Sequence, residues 1–331
     1  MPRLTGLTHG LTRALALAAA VATLGLAAPA AQAADKVRVG VFLATSALPY
    51  YVAVERGYFK EVGIETEAVP LATHPLIIQA MVKGDIDAAS NVVTLEVANI
   101  NAIRPGTAAY ISLNGQNAQY ITEQFVIRSG HPAKSLKDLK GTKLLSAPGP
   151  ANVNAAKAVL KTIGLEEGKD YTMQEQQMGV HVGAIQAGTF DGGYTLEPMG
   201  TMMIDQNIAR RVEGGVIATH LLGRKDAFAH AAGGALSQKF MAERPDVAAR
   251  YAKAWAKAVA DANNDPKVRE LLVKHMRTPE KIAPSVPLVK FFMVKDMDAT
   301  DVVDFQRFVN IGVEMGVVKT KIDVRSIMKV Y

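Results

Sequence analysis

The sequence is 331 residues long, with 49% hydrophobic and 21% charged residues, a usage that excludes wholesale disorder and fibrous architecture. Its 37 lysines and arginines against 31 acids give a formal charge of +6, and the excess is spread along the chain without the aromatic interleaving that a nucleic-acid surface requires. Cysteine is absent, and with it go thiolate nucleophiles, Cys-ligated zinc, iron–sulfur clusters, disulfides and the cysteine that tethers a bacterial lipoprotein.

The first 33 residues differ from the rest. Arg3 and Arg13 precede an apolar stretch from Ala14 to Ala28, and Ala31-Gln32-Ala33 reads as a small-x-small cleavage site, the pattern of a secretory signal peptide. Fifteen apolar residues span only about 22 Å as a helix, short of the roughly 30 Å hydrocarbon core, so an anchor is disfavoured. Removing the leader leaves 298 residues, and the loss of two arginines lowers the charge from +6 to +4. The expectation is a protein exported to the periplasm.

From Val37 onward short strand-like runs alternate with amphipathic stretches. Val37, Val39 and Val41 alternate with Arg38 and Gly40, a strand period, and a helix follows through Tyr51, Val54 and Tyr58. Strands are expected at 64–69, 86–89 and 108–113, with helices at 76–82 and 94–100 and a polar turn at Ser90-Asn91. A second series follows the Gly130-His131-Pro132 turn: strands at 143–146, 171–176, 192–196 and 212–217, separated by helices at 152–163, 180–187 and 198–206. From Ser237 the chain reads as mainly helical, with Ala248, Tyr251, Trp255, Val259 and Ala262 on one face and Val302, Phe305, Val309 and Val313 on another, so Trp255 reads as core. Repeated β-α-β grammar implies right-handed crossovers and mostly parallel, doubly wound sheets, here in two α/β lobes with a helical C-terminal segment.

Catalytic motifs are missing. There is no G-x-S-x-G elbow, phosphate loop, H-E-x-x-H or G-x-G-x-x-G after a strand, and no two of the seven histidines lie at ligand spacing. Glu166-Glu167 and the Asp296/Asp298 pair read as solvated turns. What recurs is a polar, small-residue loop between a strand and the next helix: 45–50, 90–94, 148–154 and 194–198. In a parallel sheet such loops gather at the carboxyl ends of the strands, where helix N-termini can receive an anion. Taken singly, Ser46, Asn91 and Asn152 are equally N-caps worth about 1 kcal/mol each. Gathered from two lobes they form a cleft, with Tyr50 and His74 beside it.

The run Leu48-Pro49-Tyr50-Tyr51-Val52-Ala53-Val54-Glu55-Arg56-Gly57-Tyr58-Phe59-Lys60-Glu61-Val62-Gly63-Ile64 resembles the opening of ABC-importer periplasmic binding proteins that handle nitrate, sulfonates, taurine and thiamine pyrimidine precursors. Segments 79–88 and 135–143 and the Glu197-Pro198 dipeptide follow in the same order. The resemblance implies a type II periplasmic binding fold: lobe one from 34–122, lobe two from 123–221, lobe one completed by 222–331, and a two-strand hinge near 121–126 and 219–223. It also implies ligand contacts at Ser46, Tyr50, His74, Asn91, Thr94, Asn152, Asn154, Tyr194 and Glu197. Expected with these are no catalytic residue, no metal and no cofactor, a monomer, an inner-membrane ABC permease as partner, and a small anionic organic solute: a sulfonate, an aromatic carboxylate or a pyrimidine-like molecule. Pro148-Gly149-Pro150 replaces the Ser/Thr-rich turn of sulfonate binders, which argues against that class, and the absence of cysteine argues against the fungal pyrimidine-synthesising branch. An exported enzyme with Glu197 or His74 as base, or a sensor domain, are the alternatives.

Overall fold

The computed structural model describes residues 33–331, so residues 1–32 of the expected leader lie outside the described residues. Eleven strands are present among the described residues: β1 (Asp35–Val41), β2 (Ile64–Pro70), β3 (Ala88–Val93), β4 (Ala108–Gln116), β5 (Glu123–Arg128), β6 (Thr142–Ser146), β7 (Tyr171–Glu175), β8 (Gly192–Leu196), β9 (Ala209–Gly214), β10 (Ala229–Ser237) and β11 (Lys290–Met293). They form a six-stranded sheet ordered β11-β4-β10-β3-β1-β2 and a five-stranded sheet ordered β7-β6-β8-β5-β9. The chain passes from the first sheet to the second between Gln116 and Glu123 and returns between Gly214 and Ala229.

The helices are α1 (Leu48–Glu55), α2 (Tyr58–Glu61), α3 (His74–Lys83), α4 (Thr94–Ile103), α5 (Pro150–Thr162), α6 (His181–Gln186), α7 (Met199–Asp205), α8 (Gln238–Glu243), α9 (Pro245–Asn264), α10 (Glu270–Met276) and α11 (Ala299–Glu314). Alternation works as expected in β1, where Val37 and Val39 are fully buried and Arg38 turns out to pair with Asp87 at 2.9 Å. The single helix expected through Tyr58 is two helices, α1 and α2, broken at Gly57.

Each sheet is mixed. β1 pairs parallel with β2 and β3, and β6 pairs parallel with β7 and β8, but β10 runs antiparallel to both β3 and β4, and β5 antiparallel to β8 and β9. Both reversed strands lie where the chain changes sheets, so the returning chain must enter from the opposite end. β10 lies in the stretch between the expected strand 212–217 and the helical tail, and its Ala-His-Ala-Ala-Gly-Gly-Ala-Leu-Ser composition hides it. The glycines serve packing: a Cβ on Gly234 would sit 2.6 Å from the Trp255 ring, which rests against this strand.

α9 covers one face of the first sheet. Its Tyr251, Trp255, Ala258 and Val259 are buried with Val37, Val39, Ile111 and Leu236, and each large side chain contributes about 1.5–3 kcal/mol on burial. Trp255 Nε1 donates to Ser112 Oγ at 2.8 Å, which satisfies its polar edge. The opposite face of the sheet carries Phe42, Ile77, Ile86 and Ala89 and packs beneath α11 through Phe305, Phe308 and Val309.

Candidate functional site

The carboxyl ends of the parallel strands of both sheets converge on a cavity of about 40 Å³. From the first sheet come Phe42 and Ser46 after β1, His74 at the start of α3, Val93 at the end of β3, and Asn114 and Gln116 at the end of β4. From the second come Thr122 and Glu123 at the start of β5, Asn152 in the first turn of α5, and Tyr194 and Leu196 on β8. The loops touch across it: Thr45 N donates to Glu197 O at 3.0 Å, and Ala151 N donates to Glu96 Oε1 at 3.3 Å. At one water per 10–15 Å³, the space holds roughly three waters.

Its polar chemistry is unusual in two respects. First, His74 Nδ1, Asn114 Nδ2 and Thr122 Oγ1 are buried with no hydrogen-bond partner among the described residues, and all three side chains line this one cavity. Buried polar atoms are satisfied in the great majority of cases, so three orphans around one space mark a place built to meet polar groups from outside the chain. Burial lowers the His74 imidazole to about 3, which keeps the ring neutral, and its face lies against Phe42 with centroids 4.2 Å apart. Second, among the described residues the lining holds no lysine or arginine, and its one carboxylic acid is Glu123.

Glu123 is fully buried. Its Oε2 accepts from Gly215 N at 2.9 Å and Val216 N at 3.3 Å, and its Oε1 accepts from Ile217 N at 3.1 Å. Burial pushes the carboxyl up to about 8 against the pull of those three amides. It therefore stands at the first passage between sheets and clasps the backbone of the second.

The nine residues expected to contact ligand divide. Ser46, His74, Asn152 and Tyr194 line the cavity. Asn91 stands one layer behind: its Nδ2 donates to Phe42 O at 3.2 Å and Ser46 Oγ at 2.9 Å, while its Oδ1 accepts from Phe42 N at 3.2 Å and Ser90 Oγ at 2.8 Å. Thr94 Oγ1 donates to His230 O at 2.8 Å, which ties α4 to β10. Both belong to a segment expected as a loop, yet Ser90 and Asn91 lie inside β3 because its pairing with β10 extends to Val93. Three of the expected residues lie away from the cavity. Tyr50 points into the core between Tyr51 and Phe59, with its hydroxyl 3.4 Å from Thr66 Oγ1. Asn154 folds back onto Pro150 O at 2.8 Å and borders an outer groove with Lys157 and Lys161. Glu197 does not reach the cavity: its Oε1 accepts from Gln124 Nε2 at 2.7 Å and Arg211 Nη2 at 3.0 Å, and its Oε2 accepts from Thr201 N at 3.0 Å in the first turn of α7.

Sequence reasoning missed Phe42, Asn114, Gln116, Thr122 and Glu123. A usable signal existed for two of them, because Ser112, Asn114 and Gln116 continue the two-residue period of β4 beyond the apolar run. Thr122 and Glu123 follow from where the chain crosses between sheets, and Phe42 from where β1 ends, which no local pattern records.

Two mixed sheets with helices on their faces, joined by two passages and meeting at strand ends, define the periplasmic binding protein fold. The family model described as "NMT1/THI5 like" matches residues 44–268, and the chain belongs to that family. No curated protein sequence matches it. Among solved structures it is similar to the aliphatic sulphonate binding protein SsuA from Escherichia coli, at 16% identity and TM-score 0.67 over 89% of this chain and 97% of that one. It is also similar to the alkanesulfonate-binding protein SsuA from Xanthomonas axonopodis pv. citri bound to MOPS, at 16% identity and TM-score 0.70 over 90% and 99%. The periplasmic nitrate-binding protein NrtA from Synechocystis PCC 6803 aligns at 13% identity and TM-score 0.66 over 89% and 85%.

Proposed function

We propose that this protein is an exported solute receptor that closes over a small organic molecule and delivers it, untransformed and as a monomer, to an ABC permease in the inner membrane. The lobes would be 34–122 with 222–331 and 123–221, turning about the two passages between the sheets. Of the three solute classes that the family resemblance implies, the lining favours a neutral, pyrimidine-like heteroaromatic. The observation that carries this reading is the cavity wall: orphaned donors and acceptors on His74, Asn114 and Thr122, a ring pair at Phe42 and His74, and no cation to neutralise a sulfonate or carboxylate.

A six-membered ring exceeds about 40 Å³, so the cleft must open to admit it and then close, with the solute's differential affinity for the closed state driving the shift. An enzymatic base at Glu197 is disfavoured, because both its oxygens are committed to Gln124, Arg211 and Thr201. The test is native mass spectrometry of the purified protein, followed by thermal-shift titration with aminopyrimidines, aromatic carboxylates and alkanesulfonates. A neutral heteroaromatic that raises Tm saturably and is recovered unchanged supports the reading. Recovery of a chemically altered solute, or no shift with any class, overturns it.

A further inference from the structure

In an α/β cleft the backbone N–H groups at the N-terminus of a long helix that faces the ligand space can receive an anion. Here α5 presents such an end, its Ala151, Asn152 and Ala155 lining the cavity, and the start of α4 faces the same space through Val93 and Leu95. The first helical residue of α5, Pro150, has no N–H to offer. Ala151 is next, and its N–H is already given to Glu96 Oε1 at 3.3 Å. Glu96 comes from the first turn of α4, on the first sheet's side of the cleft, so the acceptor for α5 is supplied by the opposite half of the molecule.

The close approach depends on Gly149. It holds a φ of 99°, and a Cβ there would lie 3.4 Å from Glu96 Oε1 and 3.5 Å from Pro75 Cδ. Among the described residues Glu96 has no basic partner; its second oxygen, Oε2, is buried with no hydrogen bond, and burial together with the Glu175 charge raises its carboxyl to about 7.

We propose that Glu96 is a specificity-determining residue of this receptor: its carboxylate occupies the start of α5 as a built-in anion and so excludes anionic solutes from the cleft. An entering sulfonate or carboxylate would have to displace Glu96 from Ala151 N–H or share a buried space with its charge. A neutral heteroaromatic would meet neither obstacle. The inference rests on the receptor reading above and adds to it the residue that makes the choice.

The experiment measures calorimetric affinity of a neutral 4-aminopyrimidine, methanesulfonate and benzoate for the wild-type protein, Glu96→Gln and Glu96→Ser. Wild type is expected to bind the aminopyrimidine and neither anion up to about 1 mM. Glu96→Gln keeps an acceptor for Ala151 N–H without the charge, and Glu96→Ser vacates the position; each is expected to gain anion affinity by about tenfold or more while retaining the aminopyrimidine. Submillimolar anion binding by wild type overturns the proposal without any variant. Variants that still bind the aminopyrimidine but gain nothing for anions also overturn it. If wild type binds no aminopyrimidine yet the variants gain anions, the choice of solute class fails and the exclusion by Glu96 stands.

Discussion

Two glutamates buried to the same extent sit at neighbouring strand ends of the second sheet and do opposite things. Glu197 meets Gln124, Arg211 and the Thr201 amide, so its charge has a cationic partner and its side chain fastens β8, β5, β9 and the start of α7 together. Glu123, whose register partner on β8 is Leu196, meets only backbone amides and opens onto the cavity with no cation near it. The same side chain is thus a brace in one place and part of a cavity wall in the other. The partner set decides which.

The comparison can be broken from either side. Truncating the brace has the largest expected effect: Glu197→Ala strands Arg211, Gln124 and the α7 amide and should cost about 3 kcal/mol in urea unfolding, with unchanged solute affinity per folded molecule. A loss of affinity with stability intact would move Glu197 into the site. Asn91→Ala should cost about 2 kcal/mol, since it leaves Phe42 and Ser46 groups unpaired in the core, and should also weaken solute binding because it frees the loop that carries both.

Glu123 sets a pH dependence. Its folded value, about 8, lies above the ordinary carboxylate range, so the folded state holds a proton that the unfolded chain has released, and stability falls as pH rises towards 8. Glu96, at about 7, acts in the same sense. His74 and His181, lowered by burial to about 3 and 4 from 6.5, act oppositely but only below 6.5, where the unfolded chain takes up the proton. Between pH 6.5 and 8 the carboxyls dominate, so Tm should decline there in wild type, and Glu123→Gln should flatten that decline, by at most about 1.4 kcal/mol per pH unit. An equal slope in both proteins would remove the buried proton from the account. The smallest effect belongs to Tyr50→Phe, which loses only the 3.4 Å contact to Thr66 and should cost below about 1 kcal/mol without altering solute affinity.

The sequence made much of the fold legible because helix and strand periods are local. β1, β2 and the 142–146 strand stand within two residues of their expected bounds, and Trp255 is core as its spacing implied. β10 was illegible: glycines and alanines carry no period, and it lies in the middle of the first sheet, paired with β3 and β4, with the Trp255 ring packed onto it. The cavity lining was legible where a loop feeds a helix start, at Ser46, His74 and Asn152, and illegible where it is built from strand ends and passages, at Asn114, Thr122 and Glu123. Tyr50 and Glu197 lie off the cavity, since a motif position fixes the residue type but not the direction of its side chain.

Histidine-resolved nitrogen NMR during titration with a neutral aminopyrimidine gives the most direct measurement. His74 carries a ring nitrogen that no protein group meets, whereas both His181 ring nitrogens are engaged, by Thr195 Oγ1 at 2.8 Å and Gln176 O at 3.1 Å. The account predicts that the His74 Nδ1 resonance shifts saturably with the solute while His181 stays in place. A solute that saturates the protein and leaves His74 unmoved would contradict it.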